Sequence, residues 1–89
     1  MSSDVTVTVR YWAAAKEAAG LAEEQVVAAT VADALAEVRA RHSDRSRFGS
    51  VLELCSFLVN EDPVGTRDPA SVALVEDARI EVLPPYAGG

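Results

Sequence analysis

Residues Asp4 to Tyr11 read D-V-T-V-T-V-R-Y, a strict alternation of polar and apolar side chains. Successive side chains of a strand point to opposite faces, so the three valines and Tyr11 share one face and the polar residues share the other. A second alternating run, R-I-E-V-L, spans Arg79 to Leu83. The pattern predicts two strands, one near each end of the chain, each burying one face.

The segment after the first run predicts a short helix and a returning strand. Ala13 to Ala19 is rich in alanine, the strongest helix former, and Gly20 stands where a left-handed C-terminal cap is expected. Glu23 to Ala29 contains two adjacent valines and lies close to the first strand in sequence. We expect it to pair back on that strand.

Thr30 begins the main helix of the predicted fold. A threonine is a good N-cap, and Asp33 places negative charge at the positive end of the helix dipole. Apolar residues then recur at helical spacing to about His42, at Val31, Leu35 and Val38. This helix is expected to place one apolar stripe against the sheet.

The second half of the chain predicts shorter elements. Val51 to Val59 is expected to start as a helical turn and to end as a strand at Ser56 to Val59, with Cys55 as a small buried apolar residue. Thr66 to Ser71 is expected to be a loop. Val72 to Val75 predicts a short strand before a turn at Glu76-Asp77.

These elements together predict an α+β fold, a mixed sheet with one main helix packed across it. If the first and last strands lie side by side in the middle, they run parallel through a helical crossover. That arrangement is the β-grasp, or ubiquitin-like, fold. Its domain is predicted to span residues 1–83, followed by a flexible tail at 84–89.

The composition narrows the classes of function. A chain of 89 residues with a net charge of −6 fits one small globular domain and argues against nucleic acid as the main partner. No apolar run is long enough for a membrane span, and one cysteine without a signal-peptide pattern indicates a reducing cytoplasm. One histidine and one cysteine make no metal cluster, so no metal site and no bound cofactor are expected.

The last six residues, Pro84-Pro85-Tyr86-Ala87-Gly88-Gly89, predict a functional tail. Two prolines cannot continue a central strand and are expected to project the tail in an extended form. Glycine has no Cβ, so Gly88 and Gly89 would pass through a slot too narrow for a side chain and present a carboxylate to a partner. An inert chain end is the competing interpretation.

A basic run spans Arg39 to Arg47, and the lone His42 lies within it. Positive charge is favourable in the last turn of a helix, which accounts for Arg39, Arg41 and His42. The other interpretation is a basic patch that binds a partner.

The chain resembles the family of molybdopterin synthase small subunits, which are ubiquitin-like sulfur carriers. The specific part is Leu83-Pro84-Pro85-Tyr86-Ala87-Gly88-Gly89, and Val7 to Lys16 and Thr30 to Leu35 are similar to the family's first strand and helix starts. The chain departs from the family at Asp77, where a glycine is usual. Aspartate tolerates the left-handed backbone better than most residues, so we expect the turn to be kept.

The resemblance implies a role in molybdenum cofactor biosynthesis. An E1-like adenylyltransferase would use ATP to adenylate Gly89, and a sulfur donor protein would convert it to a thiocarboxylate. The tail would then enter the large subunit of molybdopterin synthase, in an expected heterotetramer, and donate sulfur to the pterin precursor. The large subunit would supply the catalytic groups. The resemblance implies that Gly89 is the reacting residue and Gly88 the slim approach to it. The residues before them, Pro84, Pro85, Tyr86 and Ala87, would set the reach of the tail and pack along the channel mouth. Tyr86 would either anchor the tail in the partner or cover the body of the domain near the prolines.

Three alternatives remain open at the level of sequence. The same fold and tail occur in sulfur carriers for thiazole synthesis, cysteine biosynthesis and tRNA thiolation. A ubiquitin-like modifier would instead join Gly89 to lysines of other proteins. A plain interaction module would have an inert tail.

Overall fold

Two parallel strands occupy the centre of a five-stranded sheet in the computed structural model, which describes residues 4–85. The sheet order is β2-β1-β5-β3-β4. The elements are β1 (Val5–Tyr11), α1 (Ala13–Ala19), β2 (Glu23–Ala28), α2 (Val31–Arg41), α3 (Phe48–Leu54), β3 (Ser56–Val59), β4 (Asp62–Pro63), a 3₁₀ turn (Pro69–Ser71) and β5 (Arg79–Leu83).

The central pairing agrees with the prediction from the two alternating runs. β1 and β5 run parallel, with Val9 opposite Ile80 and Tyr11 opposite Val82, and all four side chains are buried. β2 pairs antiparallel with β1 on one side, and β3 pairs antiparallel with β5 on the other. The predicted α+β β-grasp arrangement is therefore confirmed.

The helix ends follow the local signals. The Thr30 hydroxyl accepts a hydrogen bond from the Asp33 amide at 3.2 Å, so Thr30 is the N-cap of α2. Gly20 closes α1 with a left-handed backbone, φ 80°, and its N–H donates to the Lys16 carbonyl. α2 buries the expected stripe against the sheet, including Val31 and Val38. α2 is therefore the main helix that the sequence predicted, with its apolar stripe buried.

The predicted short strand at Val72 to Val75 is wrong. Only Ala73 forms a bridge, to Thr30, because the backbone here supports the start of α2: Val31 N–H donates to the Val72 carbonyl, and Leu74 N–H donates to Ala29. The fifth strand is instead β4, which joins β3 through Asn60-Glu61. Both turn residues have positive φ, 48° and 71°, as a two-residue hairpin turn requires.

Three smaller predictions concern α3, the loop at Thr66 to Ser71 and the turn at Asp77. α3 begins at Phe48, three residues before the predicted helical turn, and the predicted loop at Thr66 to Ser71 contains a 3₁₀ turn. Asp77 does adopt the left-handed backbone, with φ 65°, and its N–H donates to the Thr6 carbonyl at 2.9 Å. Aspartate therefore adopts the left-handed turn as predicted.

Candidate functional site at the C-terminal neck

The neck, defined here as Pro84 and Pro85, leaves the sheet between two other strands. At the end of β5, Val82 lies opposite Tyr11 of β1, and Leu83 lies opposite Ser56 of β3. Pro84 is half-buried and Pro85 is exposed. Because proline has no N–H to donate, the strand ladder cannot continue through the neck. The chain therefore leaves β5 from the middle of one end of the sheet.

The structure places only part of the predicted site. Pro84 and Pro85 lie at the end of β5, as the sequence predicted. Tyr86, Ala87, Gly88 and Gly89 lie outside the described residues. Their predicted roles as an approach and a reacting terminus stay predictions.

Several elements meet at the end of the molecule from which the neck leaves. β1 and β5 both finish there, β2 and β3 both begin there, and α2 ends there, with His42 beside Glu24 of β2. We call this region the neck end. Two of its side chains, Trp12 and Leu54, are large, apolar and exposed, at 40% and 68% respectively.

Trp12 is a residue of this region that the sequence analysis did not single out. Its backbone N–H donates to the Val82 carbonyl at 3.2 Å, and its indole Nε1 donates to the Glu81 carboxylate at 3.2 Å. The Arg10 guanidinium lies 4.6 Å from the indole ring centre, a cation–π distance. Trp12 therefore ties the start of α1 to the last residues before the neck. The sequence feature that could have pointed to Trp12 is an aromatic residue directly after the first predicted strand.

A polar cluster centred on Glu24 joins α2 to the sheet at the same end. Oε2 of Glu24 accepts a hydrogen bond from the Tyr11 hydroxyl at 2.6 Å and lies 2.6 Å from His42 Nε2. Oε1 lies 3.2 Å from Arg41 Nη1, and Arg41 also pairs with Glu37 at 2.8 Å. His42 is the C-cap of α2, which confirms its predicted place at the helix end. The sequence analysis did not predict its bond to Glu24.

The pKa values of Glu24 and Tyr11, at the centre of this cluster, move away from their usual range. Partial burial alone would raise the pKa of Glu24, but hydrogen bonds from Tyr11, His42 and Arg41 outweigh it and hold that pKa below its ordinary value. Burial, together with the hydrogen bond to Glu24, raises the pKa of Tyr11. An ionised carboxylate held by three donors stabilises a structure and is poorly suited to abstract a proton. We therefore regard the cluster as a structural clamp.

Cys55 lies close to the neck, immediately before the residue that pairs with Leu83. Its side chain is half-buried against the core, and its Sγ donates to the Val51 carbonyl at 3.2 Å. Burial raises the pKa of the Cys55 thiol, which disfavours the reactive thiolate. The predicted burial of Cys55 is therefore only partial, and its packing and raised pKa favour the packing interpretation over a reactive thiol.

Within residues 4–85, no three side chains of the metal-ligating types come together as a potential metal site. No helix in the same range combines the length and apolar character that crossing a bilayer needs.

Comparisons with known proteins agree with this architecture. The small archaeal modifier protein 1 of Methanosarcina acetivorans is 21% identical with a TM-score of 0.80, over 99% of this chain and 100% of that one. A putative molybdopterin converting factor subunit 1 of Pyrococcus furiosus is 24% identical with a TM-score of 0.74, over 92% and 99%. No protein with a curated description matches the chain.

A third similar structure is a chain of the complex of subunits 1 and 2 of molybdopterin-converting factor from Helicobacter pylori. It is 22% identical with a TM-score of 0.65, over 96% of this chain and 100% of that one. At these identities the three structures establish the shared fold. The profile of the ThiS family matches residues 9–89, which is nearly the whole chain and includes the neck and the tail. On that match the chain belongs to the ThiS family, and its expected kinship with the ubiquitin-like sulfur carriers is confirmed.

Proposed function

We propose that this protein is the sulfur carrier subunit of molybdopterin synthase, with Gly89 as its reacting residue. The main support is that the family match continues through the neck and Gly88-Gly89. In this segment the Pro-Pro-aromatic-Ala-Gly-Gly sequence favours the molybdopterin branch of the sulfur carriers. The place of the neck supports it, because a tail that leaves the middle of a sheet end can project away from the domain.

The chemistry proposed for the tail has two activation steps. The Gly89 carboxylate attacks the α-phosphorus of ATP on an E1-like adenylyltransferase, and pyrophosphate leaves. The acyl-adenylate has a good leaving group, so the sulfur of a donor protein attacks the acyl carbon and AMP departs. When the attacking sulfur is the outer atom of a cysteine persulfide on the donor, the product is an acyl disulfide. A thiol then cleaves its S–S bond and forms a disulfide with the donor cysteine, and the transferred sulfur stays on Gly89 as a thiocarboxylate.

The proposed acceptor is the large subunit of molybdopterin synthase. The tail enters its active site, and the terminal sulfur displaces an oxygen leaving group of the pterin precursor to form a thioester with Gly89. Water then hydrolyses this thioester, so that the sulfur stays on the pterin and Gly89 regains its carboxylate. The general acid and base belong to the large subunit, since the Glu24 cluster is occupied by its own hydrogen bonds. The complex of subunits 1 and 2 of molybdopterin-converting factor from Helicobacter pylori supports a partner of this kind.

The direct test is the intact mass of the untagged protein after incubation with an activating enzyme, ATP and a sulfur donor. We expect a species heavier by the difference between sulfur and oxygen, located in the Gly88-Gly89 peptide. Addition of the large subunit and the pterin precursor should then return the mass to that of the carboxylate. A protein that stays unmodified under these conditions would contradict the proposal.

A second candidate function is that of a ubiquitin-like modifier. The likeness in fold to the small archaeal modifier protein 1 of Methanosarcina acetivorans favours it. Both functions begin with adenylation of Gly89, and they differ in the nucleophile that follows. A modifier predicts conjugates of high mass in cells that disappear when Gly88 and Gly89 are deleted.

A further inference from the structure

A row of adjoining depressions forms a groove from Trp12 along α1 to the loop between α2 and α3. It consists of three neighbouring depressions. The first and second share Glu17, and the second and third share Arg45 and Ser46. We call it the α1 groove. It begins beside the neck, because Trp12 is bonded to Val82 and Glu81 of β5.

The two ends of the α1 groove differ in chemistry. The end beside the neck is mainly apolar. It is lined by Trp12, Ala13, Ala14, Gly20 and Leu21, together with the charged Lys16 and Glu17. The far end is lined by exposed charged and hydroxyl side chains of the α2–α3 loop. An occupant must therefore place an apolar group near the neck and polar groups farther away.

The charged side chains of the α1 groove are predominantly basic. Lys16, Arg39, Arg45 and Arg47 line it, against the two carboxylates of Glu17 and Asp44. This balance is opposite to that of the whole chain, whose net charge is −6. The net negative charge of the protein repels an acidic partner, whereas the basic groove attracts it. The partner is therefore expected to bind in one orientation, with its acidic part on the groove.

These basic side chains form no ion pair within the part of the chain that the structure describes. Between residues 4 and 85, Arg10, Arg41 and Arg67 each form an ion pair, whereas no carboxylate lies within 4.0 Å of the basic groups of the α1 groove. Arg79 is likewise without such a pair, but it lies at the first residue of β5, the opposite end from the neck. Among the lysine and arginine side chains of residues 4–85 that form no ion pair, all except Arg79 line the α1 groove.

We propose that the α1 groove binds an acidic segment of the large subunit, positioned beside the channel that receives the tail, with an apolar residue of that segment seated against Trp12 and Leu21. This inference rests on the proposed function. The groove and the neck share one end of the molecule, so a subunit that holds the tail also reaches the groove. Binding at both places fixes the orientation in which the tail enters.

The test measures the affinity of the full-length carrier for the large subunit of the same organism by calorimetry. Arg47→Glu changes the groove, and Arg79→Glu is the matched control, because both residues are exposed and both substitutions lower the net charge equally. We expect Arg47→Glu to raise Kd about fivefold or more at about 0.1 M salt, and Arg79→Glu to change it less than about twofold. At about 1 M salt, where screening acts over about 3 Å, the effect of Arg47→Glu should shrink to less than about twofold.

Arg39→Glu is a second groove variant and should behave like Arg47→Glu, and thermal unfolding checks that each variant is folded. The inference is overturned if the groove variants bind as tightly as wild type, or if Arg79→Glu weakens binding as much as they do. In both cases the wild-type protein still forms the thiocarboxylate and binds the large subunit. Failure of the wild type in those two assays contradicts the proposed function itself, so the two failures are distinguishable.

Discussion

At the residue scale, backbone conformation singles out a few positions. Gly20 needs its glycine because its φ of 80° lies in the left-handed region, whereas the Arg45 guanidinium, 2.6 Å from where a Cβ would stand, ends a flexible side chain that could move aside. Asp77 adopts φ 65° at the turn before β5. Both were predicted from the sequence, since glycine after a helix and aspartate in a turn are local signals. Ala13, with φ 49°, was not predicted, because alanine gives no signal of a left-handed backbone.

Replacing Ala13 by glycine should stabilise the protein. A left-handed backbone costs an L-residue about 1 kcal/mol or more, and glycine avoids that cost. We expect Ala13→Gly to raise the free energy of unfolding by up to about 1 kcal/mol, as measured by urea denaturation. The control is Ala14→Gly, in the same helix without positive φ, which should lower it by about 0.5 to 1 kcal/mol. Equal destabilisation by both variants would contradict the strain at Ala13.

A bulky residue at position 88 should abolish sulfur transfer. If the tail enters a narrow channel, Gly88→Trp blocks entry, and the domain keeps its thermal midpoint because the change lies beyond the neck. Transfer is measured by loss of the thiocarboxylate mass in the presence of the large subunit. Val75→Trp is the control, since Val75 is 62% exposed at the opposite end from the neck. Normal sulfur transfer by Gly88→Trp would contradict the prediction that the tail passes through a narrow channel.

At the element scale, the Glu24 cluster holds the end of α2 against β1 and β2. Its members are far apart in sequence: Glu24 lies 13 positions after Tyr11 and 18 positions before His42. No local pattern could predict these bonds. The same reason explains the wrong strand at Val72 to Val75, where an apolar run supports the start of α2 by backbone hydrogen bonds instead of joining the sheet.

Removing the charge of Glu24 should destabilise the fold in a pH-dependent way. The pKa of Glu24 is lowered in the folded protein, so its ionised form stabilises the fold above the unfolded pKa of about 4.3. That contribution is lost as the pH falls through the folded pKa. We expect Glu24→Gln to lower the free energy of unfolding by about 2 kcal/mol at neutral pH, and by less below about pH 4. Urea denaturation at several pH values measures both.

The control for this prediction is Glu53→Gln, which changes an exposed carboxylate on α3. It should alter the free energy of unfolding by less than about 0.5 kcal/mol at every pH. A cost of Glu24→Gln that is the same at acidic and neutral pH would show that the charge of Glu24 does not stabilise the cluster.

At the scale of the whole molecule, the parallel pair of β1 and β5 unites the two ends of the chain in one core. Val9 and Ile80 are fully buried and pair across these strands, 71 positions apart. The domain is small, so its stability depends strongly on this shared core. A change at the centre should therefore affect the unfolding of the whole domain.

Ile80→Ala should destabilise the domain strongly. Truncating a buried isoleucine costs about 2 to 5 kcal/mol, which for a domain of this size lowers the thermal midpoint by roughly 10 °C or more. Val27→Ala is the control, because Val27 is 60% exposed on an outer strand, and its midpoint should stay within about 3 °C of wild type. Calorimetry measures both. Similar midpoints for the two variants would contradict the central role of β5.

The sequence by itself determined the features that depend on neighbouring residues. Strict alternation predicted β1 and β5, Thr30 and Gly20 predicted helix ends, and the Pro-Pro-aromatic-Ala-Gly-Gly tail predicted the site and the family. Only the tertiary structure decided which distant residues meet: Trp12 with Glu81, Glu24 with His42, and α1 with the basic loop that completes the groove. The physical reason is that periodicity and capping are local properties of the chain, whereas a contact between distant residues exists only after the strands pair and the helices pack.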